Sequence, residues 1–476
     1  MAVAFRDLRE FLAALEAQND LRVVCGASPD LEIGAIVELN HEKKGPALLF
    51  DEIQGYGPGF RILANAMDTL PRALMTLGLP RDAALDDALN EFDRRLASFQ
   101  PVPPELLATG PVFENVFQGD DVDVLKFPTP LWHEADGGRY IGTGCVVFMR
   151  DPDTGLVNFG TYRVMVHDRN TVGLYITPNH TGAIIRRKYW ERGQSCPVAI
   201  SIGQEPMMFL GSAQYFGQKR GVAKYDLVGH MRGSPVDVVE EPVTGLPIPA
   251  TAEIVLAGEV PPPEVEARDE GPFGEWTGYY ASGTRPEPVV RVKALYHRND
   301  PIIFGTPPLR NIMVNSHFGL PTEGRRVRER LQRAGVEDVL DVVPLSIPGV
   351  VVVQIRQRYP GHAMKAALAA SGEYMGRFVI VVDEDVNVHD PQEVFWAIGT
   401  RCDPATTISI LTGCQSSALD PRLPPEQKKR GEYTSSRAII NACKPYEWIK
   451  DFPKANKVSA ELRRQTTEKW SDLFAG

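Results

Sequence analysis

Two glutamates frame a short rigid segment, Glu270-Gly271-Pro272-Phe273-Gly274-Glu275, which runs on into Trp276-Thr277-Gly278-Tyr279-Tyr280. The glycines permit backbone dihedrals that other residues resist, and the proline fixes its own φ and removes a donor. A tight loop of this kind presents both carboxyl groups to one small volume. Carboxyls held close in a partly dry pocket acquire different proton affinities, which keeps one acid and one base ready near neutral pH. Taken alone, the segment reads equally well as a loop with both carboxylates in solvent.

The elements that would position this loop come in three stretches. Residues 1 to about 120 alternate helical and strand-like patterns. Helices are expected over Phe5–Leu15 and Leu85–Leu96, and a buried strand over Ala47–Phe50. Proline- and aspartate-rich residues at 101–105 and 119–123 read as a linker. From about 121 to 310 short β-rich runs follow one another: Gly144–Met149, Thr161–Val166, Pro197–Ile202, Val236–Val239 and Val289–Ala294. Closely spaced strands of this sort suggest a barrel or sandwich, with one helix intervening at Thr181–Arg192. The remainder, 311–476, has the rhythm of a parallel α/β sheet. Its helices are expected at Gly324–Gly335, His362–Ala370 and Pro391–Ile398, and its strands at Val350–Ile355 and Phe378–Val382.

Composition narrows the function. The 476 residues are 43% hydrophobic and 24% charged, those of an ordinary globular chain. A net charge of −10 argues against nucleic-acid binding, which wants a basic face. The short basic clusters Arg186-Arg187-Lys188 and Gln427-Lys428-Lys429-Arg430 read as solvated faces. No apolar stretch approaches the roughly 20 residues that span a bilayer, so no membrane partner is expected. The six cysteines are dispersed without a CxxC pair, as in a reduced cytoplasmic protein.

Several further blocks stand in order along the chain. They are Asn158-Phe159-Gly160-Thr161-Tyr162-Arg163, Pro247 to Glu259, the Glu270–Glu275 loop, Tyr359-Pro360-Gly361-His362-Ala363 and Thr400-Arg401-Cys402-Asp403-Pro404. In this order they resemble the UbiD-type reversible decarboxylases, which use prenylated flavin mononucleotide (prenylated FMN). The likeness extends from Leu48 to Pro445. It implies an α/β fold in which a central split β-barrel holds the flavin between N- and C-terminal α/β domains, the latter forming the dimer. It also implies a small carboxylic acid as substrate, a flavin prenyltransferase as cofactor supplier, and a homodimer or homohexamer.

The resemblance assigns roles as well. Loss of carbon dioxide from an aromatic or vinylic carboxylate leaves an in-plane carbanion that side chains stabilise poorly, so a cofactor must accept the electrons. Arg163 matches the family's catalytic arginine, whose planar fork suits a carboxylate. Glu275 is then the proton donor, and Glu270 pairs with Arg163 to keep it aligned. Thr161 and Tyr162 fall beside the flavin, and Ser212, Ala213 and Gln214 fall in a loop that in relatives contacts the flavin and a monovalent ion, K⁺. Asn158 and His180 match residues that hold a divalent ion, Mn²⁺ or Mg²⁺, against the flavin phosphate; His180 reads equally as a cap for the following helix. Where relatives carry a third, glutamate ligand, this chain has Lys224. The metal is therefore either missing or bound differently, with Lys224 supplying part of its charge. Leu309, His317 and Lys365 fall in segments that in relatives approach the substrate.

Other readings have less support. A flavin-free metallohydrolase lacks HExxH or paired-histidine spacing, and a nucleotide-binding enzyme lacks a GxxxxGK[ST] loop. A catalytically silent flavin-binding or assembly protein of the same fold is opposed by the intact Arg163, Glu270 and Glu275.

Overall fold

The structure, a computed structural model, describes residues 5–474 apart from 179, 214–221, 276, 310–319, 345–348, 373–375 and 457. Two compact units are present. The first contains the chain up to Arg326 together with Pro344–Val350 and Gly413–Ser435. The second contains Val327–Val343, Val351–Thr412 and the residues from Ser436 on.

Within the first unit, the strands Leu21–Cys25, Ala47–Asp51, Arg61–Ala64 and Ile302–Phe304 form a four-stranded sheet in that order. The helix Leu8–Ala17 buries Leu8, Phe11, Leu12 and Leu15 in one core cluster with Leu49, Leu63 and Phe304. Its three- and four-residue spacing is that of an amphipathic helix.

The larger sheet has ten strands. Its main path runs Tyr140–Gly142, Arg163–Val166, Thr171–Tyr175, Arg285–His297, Ile254–Val260, Cys196–Ile202, Val146–Arg150, Val157–Gly160. Ala267–Glu270 and Asn115–Gln118 pair with Arg285–His297 off this path. Each strand sends alternate side chains to opposite faces. Val147, Met149, Val198, Ile200, Ile254 and Leu256 enter one core cluster, while Val146, Phe148, Ala199, Val255 and Ala257 enter a second. Both faces are covered, so these strands read in sequence as unbroken apolar runs.

Connectivity requires this sheet to curl. Val157–Gly160 ends the path and Arg163–Val166 stands near its start, yet only Thr161 and Tyr162 separate them. Three Cα steps reach at most ~11 Å, whereas six flat strand spacings would measure ~29 Å. The two ends of the sheet therefore meet at Thr161 and Tyr162, and the residues around that seam are drawn together.

A five-stranded sheet, most of whose residues belong to the second unit, runs Val339–Pro344, Val350–Ile355, Phe378–Asp383, Thr434–Asn441, Ile408–Gln415. Phe378–Asp383 and Thr434–Asn441 are parallel, as the α/β rhythm suggested. The helix His362–Ala370 packs Ala363, Ala366, Ala367 and Ala370 against Val353, Ile355 and Val381.

The expectation of solvated faces holds for Arg187, Lys429 and Arg430 but is corrected at Arg186 and Lys428. Arg186 is buried, donates to Leu174 O and stacks on Trp190. Lys428 is half-buried and donates to Ala281 O at 2.7 Å. Lys429 and Arg430 are exposed.

Candidate active site

The curled sheet delivers three charged side chains to one point. Arg163 begins its strand opposite Tyr175 in the antiparallel register. Glu270 ends Ala267–Glu270, opposite Arg285. The loop then turns through Gly271, whose φ of +83° lies in the region glycine favours, and returns Glu275. Gly137 braces this turn: its N–H donates to Pro272 O at 2.7 Å, and a Cβ there would lie 2.0 Å from Gly271 O.

Arg163 bridges both carboxylates. Its Nη2 donates to Glu270 Oε2 and its Nη1 to Glu275 Oε1, each at 2.7 Å. The guanidinium lies over the Tyr175 ring, 4.2 Å from the centroid, and its buried Nε has no hydrogen-bond partner. Glu270 is 1% exposed and also accepts from the Tyr140 hydroxyl at 2.9 Å. Burial, helped by Glu270, keeps that phenol protonated. The two glutamates thus have unlike surroundings. Burial drives the Glu275 carboxyl up to about 7; the attraction of Arg163 opposes the rise, and repulsion from Glu270 adds to it. A carboxyl that titrates near neutrality beside a fixed guanidinium is suited to giving and taking a proton.

A cleft opens beside this triad. Arg163, Glu275, Tyr162, Tyr175 and Phe273 line it, together with the hydroxyl-bearing Thr143, Thr161, Thr177 and Thr306. His180 and Leu419 complete the wall with Gly274 and Pro308. Thr161 and Ser212 share a hydrogen bond of 2.5 Å between their hydroxyls, and Ser212 also donates to Phe209 O. Ala213 ends the same helix, Pro206–Ala213, and is exposed.

The remaining sequence candidates fall in different places. His180 occupies the N-cap of Thr181–Trp190 but makes no side-chain capping bond, so the capping alternative is not realised. Lys224 begins the helix Lys224–Arg232 and its Nζ donates to Phe159 O. Burial lowers its pKa to about 8. Asn158 is buried, with Nδ2 unpartnered. Leu309 is packed into the core beside Pro308, which lines the cleft. Lys365 lies in the second unit, where it donates to Gly335 O. Gln214 and His317 lie outside the described residues.

These donors fit a phosphate-bearing aromatic cofactor better than a divalent ion. The cleft has aromatic walls and hydroxyls for a ring system, and an unpartnered amide and an ammonium stand close to it. A divalent ion needs oxygen or imidazole lone pairs, and a protonated lysine in the third position has none. Among the described residues, no group of three or more His, Cys, Asp or Glu could hold a metal ion.

Known proteins share the sequence pattern and the fold. Residues 12–92, 105–311 and 318–442 match, respectively, the N-terminal, Rift-related and C-terminal domains of the family of 3-octaprenyl-4-hydroxybenzoate carboxy-lyase, UbiD. The chain belongs to the UbiD family. It is 33% identical over 437 residues to a phenolic acid decarboxylase of Bacillus subtilis, covering 88% of this chain and 89% of the relative. A pyrrole-2-carboxylic acid decarboxylase of Pseudomonas aeruginosa is 32% identical, with 99% and 98% covered. Among solved structures, the vanillic acid decarboxylase of Sedimentibacter hydroxybenzoicus in its open form aligns with a TM-score of 0.83 at 27% identity, over 99% of this chain and 100% of that one. An evolved dimeric UbiD-class enzyme from Pelotomaculum thermopropionicum, in complex with prFMN, aligns at 0.79 with 26% identity, over 97% and 98%. The chain is a UbiD-family carboxy-lyase, and no helix among its described residues is long and apolar enough to cross a membrane.

Sequence reasoning missed Tyr140, Tyr175 and Leu419. Tyr140 is 130 positions from the glutamate it serves, and Leu419 arrives from the Gly413–Ser435 segment. No local pattern marks either. Tyr175 was in principle findable, because an arginine at a strand start needs a cross-strand neighbour to cover it.

Proposed function

We propose that this UbiD-family enzyme is a prenylated-FMN-dependent, reversible non-oxidative decarboxylase of an aromatic, heteroaromatic or α,β-unsaturated carboxylic acid. The curled sheet is the split barrel that holds the flavin. The three-domain division near residues 120 and 310 belongs to the same reading, with the matched family segments as its support. The observation that carries the proposal is the buried Glu270–Arg163–Glu275 bridge facing an aromatic, hydroxyl-lined cleft.

When bound, the prenylated flavin supplies the electron acceptor that side chains lack. Thr161, Tyr162 and Ser212 would hold it, with Ala213 next to Ser212 at the end of the helix Pro206–Ala213 and not in the loop expected there. The chain's own residues do the rest. Arg163 orients the substrate carboxylate. Its Nε is already free, and protonation of Glu275 removes that residue's negative charge and so weakens its hold on Nη1. Glu270, held in turn by Tyr140, keeps the guanidinium in place while Nη1 changes partner. Glu275, with its carboxyl poised near 7, delivers a proton to the carbon that carried the carboxylate. Run in reverse, under high bicarbonate, it removes that proton. Phe273, Tyr175 and Leu419 limit water around these groups.

The partners we assign are a small carboxylic acid and a flavin prenyltransferase that supplies the cofactor. The enzyme is placed in the cytoplasm as a homodimer or homohexamer, a reading supported by the thiols of Cys25, Cys145, Cys196, Cys402 and Cys443 and the dimeric form of one relative. The ultraviolet-visible spectrum of protein produced alongside a flavin prenyltransferase tests the cofactor assignment. Flavin absorbance that survives desalting is expected. A colourless protein that still decarboxylates would remove the flavin from the account.

A further inference from the structure

The side chains grouped around the end of the strand Val157–Gly160 are donors. Lys224 Nζ donates to Phe159 O, and Lys224 forms no ion pair among the described residues. Asn158, 9% exposed, holds its Nδ2 without a hydrogen-bond partner. Its carboxamide lies beside the Tyr162 hydroxyl without meeting hydrogen-bond geometry, close enough to interact with it electrostatically, and that hydroxyl accepts from Gly182 N in the first turn of Thr181–Trp190. His180 precedes that turn on the cleft wall, within the electrostatic reach of Lys224. The N-cap residues of the nearby helices Thr181–Trp190 and Lys224–Arg232 make no side-chain capping bond, and among the described residues only the Gly182 N–H of the first is taken up by another side chain, Tyr162.

A set of this kind suits an anion. An ammonium has three donors and no acceptor, and one of the three is occupied by Phe159 O. The orphaned Asn158 N–H is a second donor, and uncapped helix starts add favourable field. A phosphate monoester offers three strong acceptor oxygens and nearly two negative charges. The same set offers a divalent cation one imidazole and one amide oxygen at most, beside a repelling positive charge.

We propose that Lys224, with Asn158 and His180, binds the flavin phosphate directly, with no divalent ion between protein and phosphate. This rests on the flavin reading above. Lys224 takes over the charge neutralisation that a metal would provide, and its geometry is set by the Phe159 carbonyl instead of by a coordination sphere.

The test is equilibrium binding of FMN and riboflavin to flavin-free protein, read by flavin fluorescence, in exhaustively chelated buffer and again with added Mn²⁺. Riboflavin with inorganic phosphate forms a separate arm, which distinguishes the tethered phosphate from a free one. Wild type is expected to bind FMN at least about tenfold more tightly than riboflavin under chelation, with less than about a twofold gain from Mn²⁺ and no effect of free phosphate on riboflavin. Lys224→Met should lose the preference for FMN, and Lys224→Arg should retain much of it, with thermal melts confirming that each variant folds. Lys224→Glu should bind FMN only with Mn²⁺ present, with metal retained after desalting. The assignment is overturned if wild type needs Mn²⁺ to hold FMN, if it retains one Mn²⁺ per chain, or if Lys224→Met keeps the FMN preference. It also fails if free phosphate substitutes for the tethered one. Absence of flavin binding by every form, with and without metal, overturns the flavin reading and this assignment together.

Discussion

Replacement of Glu275 by glutamine separates the chemistry from the scaffold. The amide keeps the shape and an oxygen to accept from Arg163 Nη1, but it has no proton to deliver to the substrate carbon. General acid contributions are typically ~10²–10⁴-fold, and a loss in that range is expected near pH 6, where the wild-type acid is protonated. Stability should move the other way. The wild-type carboxyl titrates at about 7 in the folded protein, against a usual value of 4.5. The unfolded chain therefore binds fewer protons between these values. Its stability contribution is complete below pH 4.5, falls through the window and is lost above 7. At ~1.4 kcal/mol per pKa unit the shift corresponds to ~3 kcal/mol. Glu275→Gln does not titrate, so at pH 8 it should be more stable than wild type by up to ~3 kcal/mol, with no such advantage near pH 4.5. Denaturant unfolding at the two pH values measures the second effect. Product formation by flavin-loaded enzyme, normalised to flavin absorbance, measures the first. A variant within about threefold of wild-type rate, far short of the expected range, would remove Glu275 from the donor role. A stability difference that does not grow with pH would refute the buried-carboxyl argument.

Wild-type kcat/KM should decline as pH rises through about 7, where the donor loses its proton. Lys428→Met removes a positive charge near Glu275 as well as the bond to Ala281 O, so the declining limb should move to higher pH. Arg163→Lys exchanges a fork that holds two glutamates for a single ammonium, and kcat/KM should fall by at least ~10²–10³-fold with flavin still bound. Tyr140→Phe leaves Glu270 Oε1 with one buried partner fewer, which should cost ~1–3 kcal/mol in unfolding experiments. Gly137→Ala puts a methyl group against Gly271 O; it should displace the glutamate loop and reduce turnover by at least about tenfold, with far-ultraviolet circular dichroism unchanged.

Local regularities made much of the fold legible. The strand Val350–Ile355 and the helix His362–Ala370 run as their patterns suggest, because one is a β-branched run and the other alanine-rich. The central strands were visible as apolar runs. The curl of their sheet was not, since it follows from which strands pair. The triad was readable because two of its members share one short loop and the third sits in a distinctive block. Tyr140 and Leu419 were hidden by distance along the chain. Lys428 was misread because a lysine in a basic cluster ordinarily faces water, and its Ala281 partner is a backbone carbonyl that leaves no mark in the sequence.

The most direct test of the central claim is carbon dioxide release from a panel of aromatic, heteroaromatic and α,β-unsaturated acids, by protein produced with a flavin prenyltransferase and by protein produced without one. Release from at least one acid is expected with the first preparation and none above background with the second. Equal release by both, or release by neither from a prenyltransferase-matured protein that carries flavin, would contradict it.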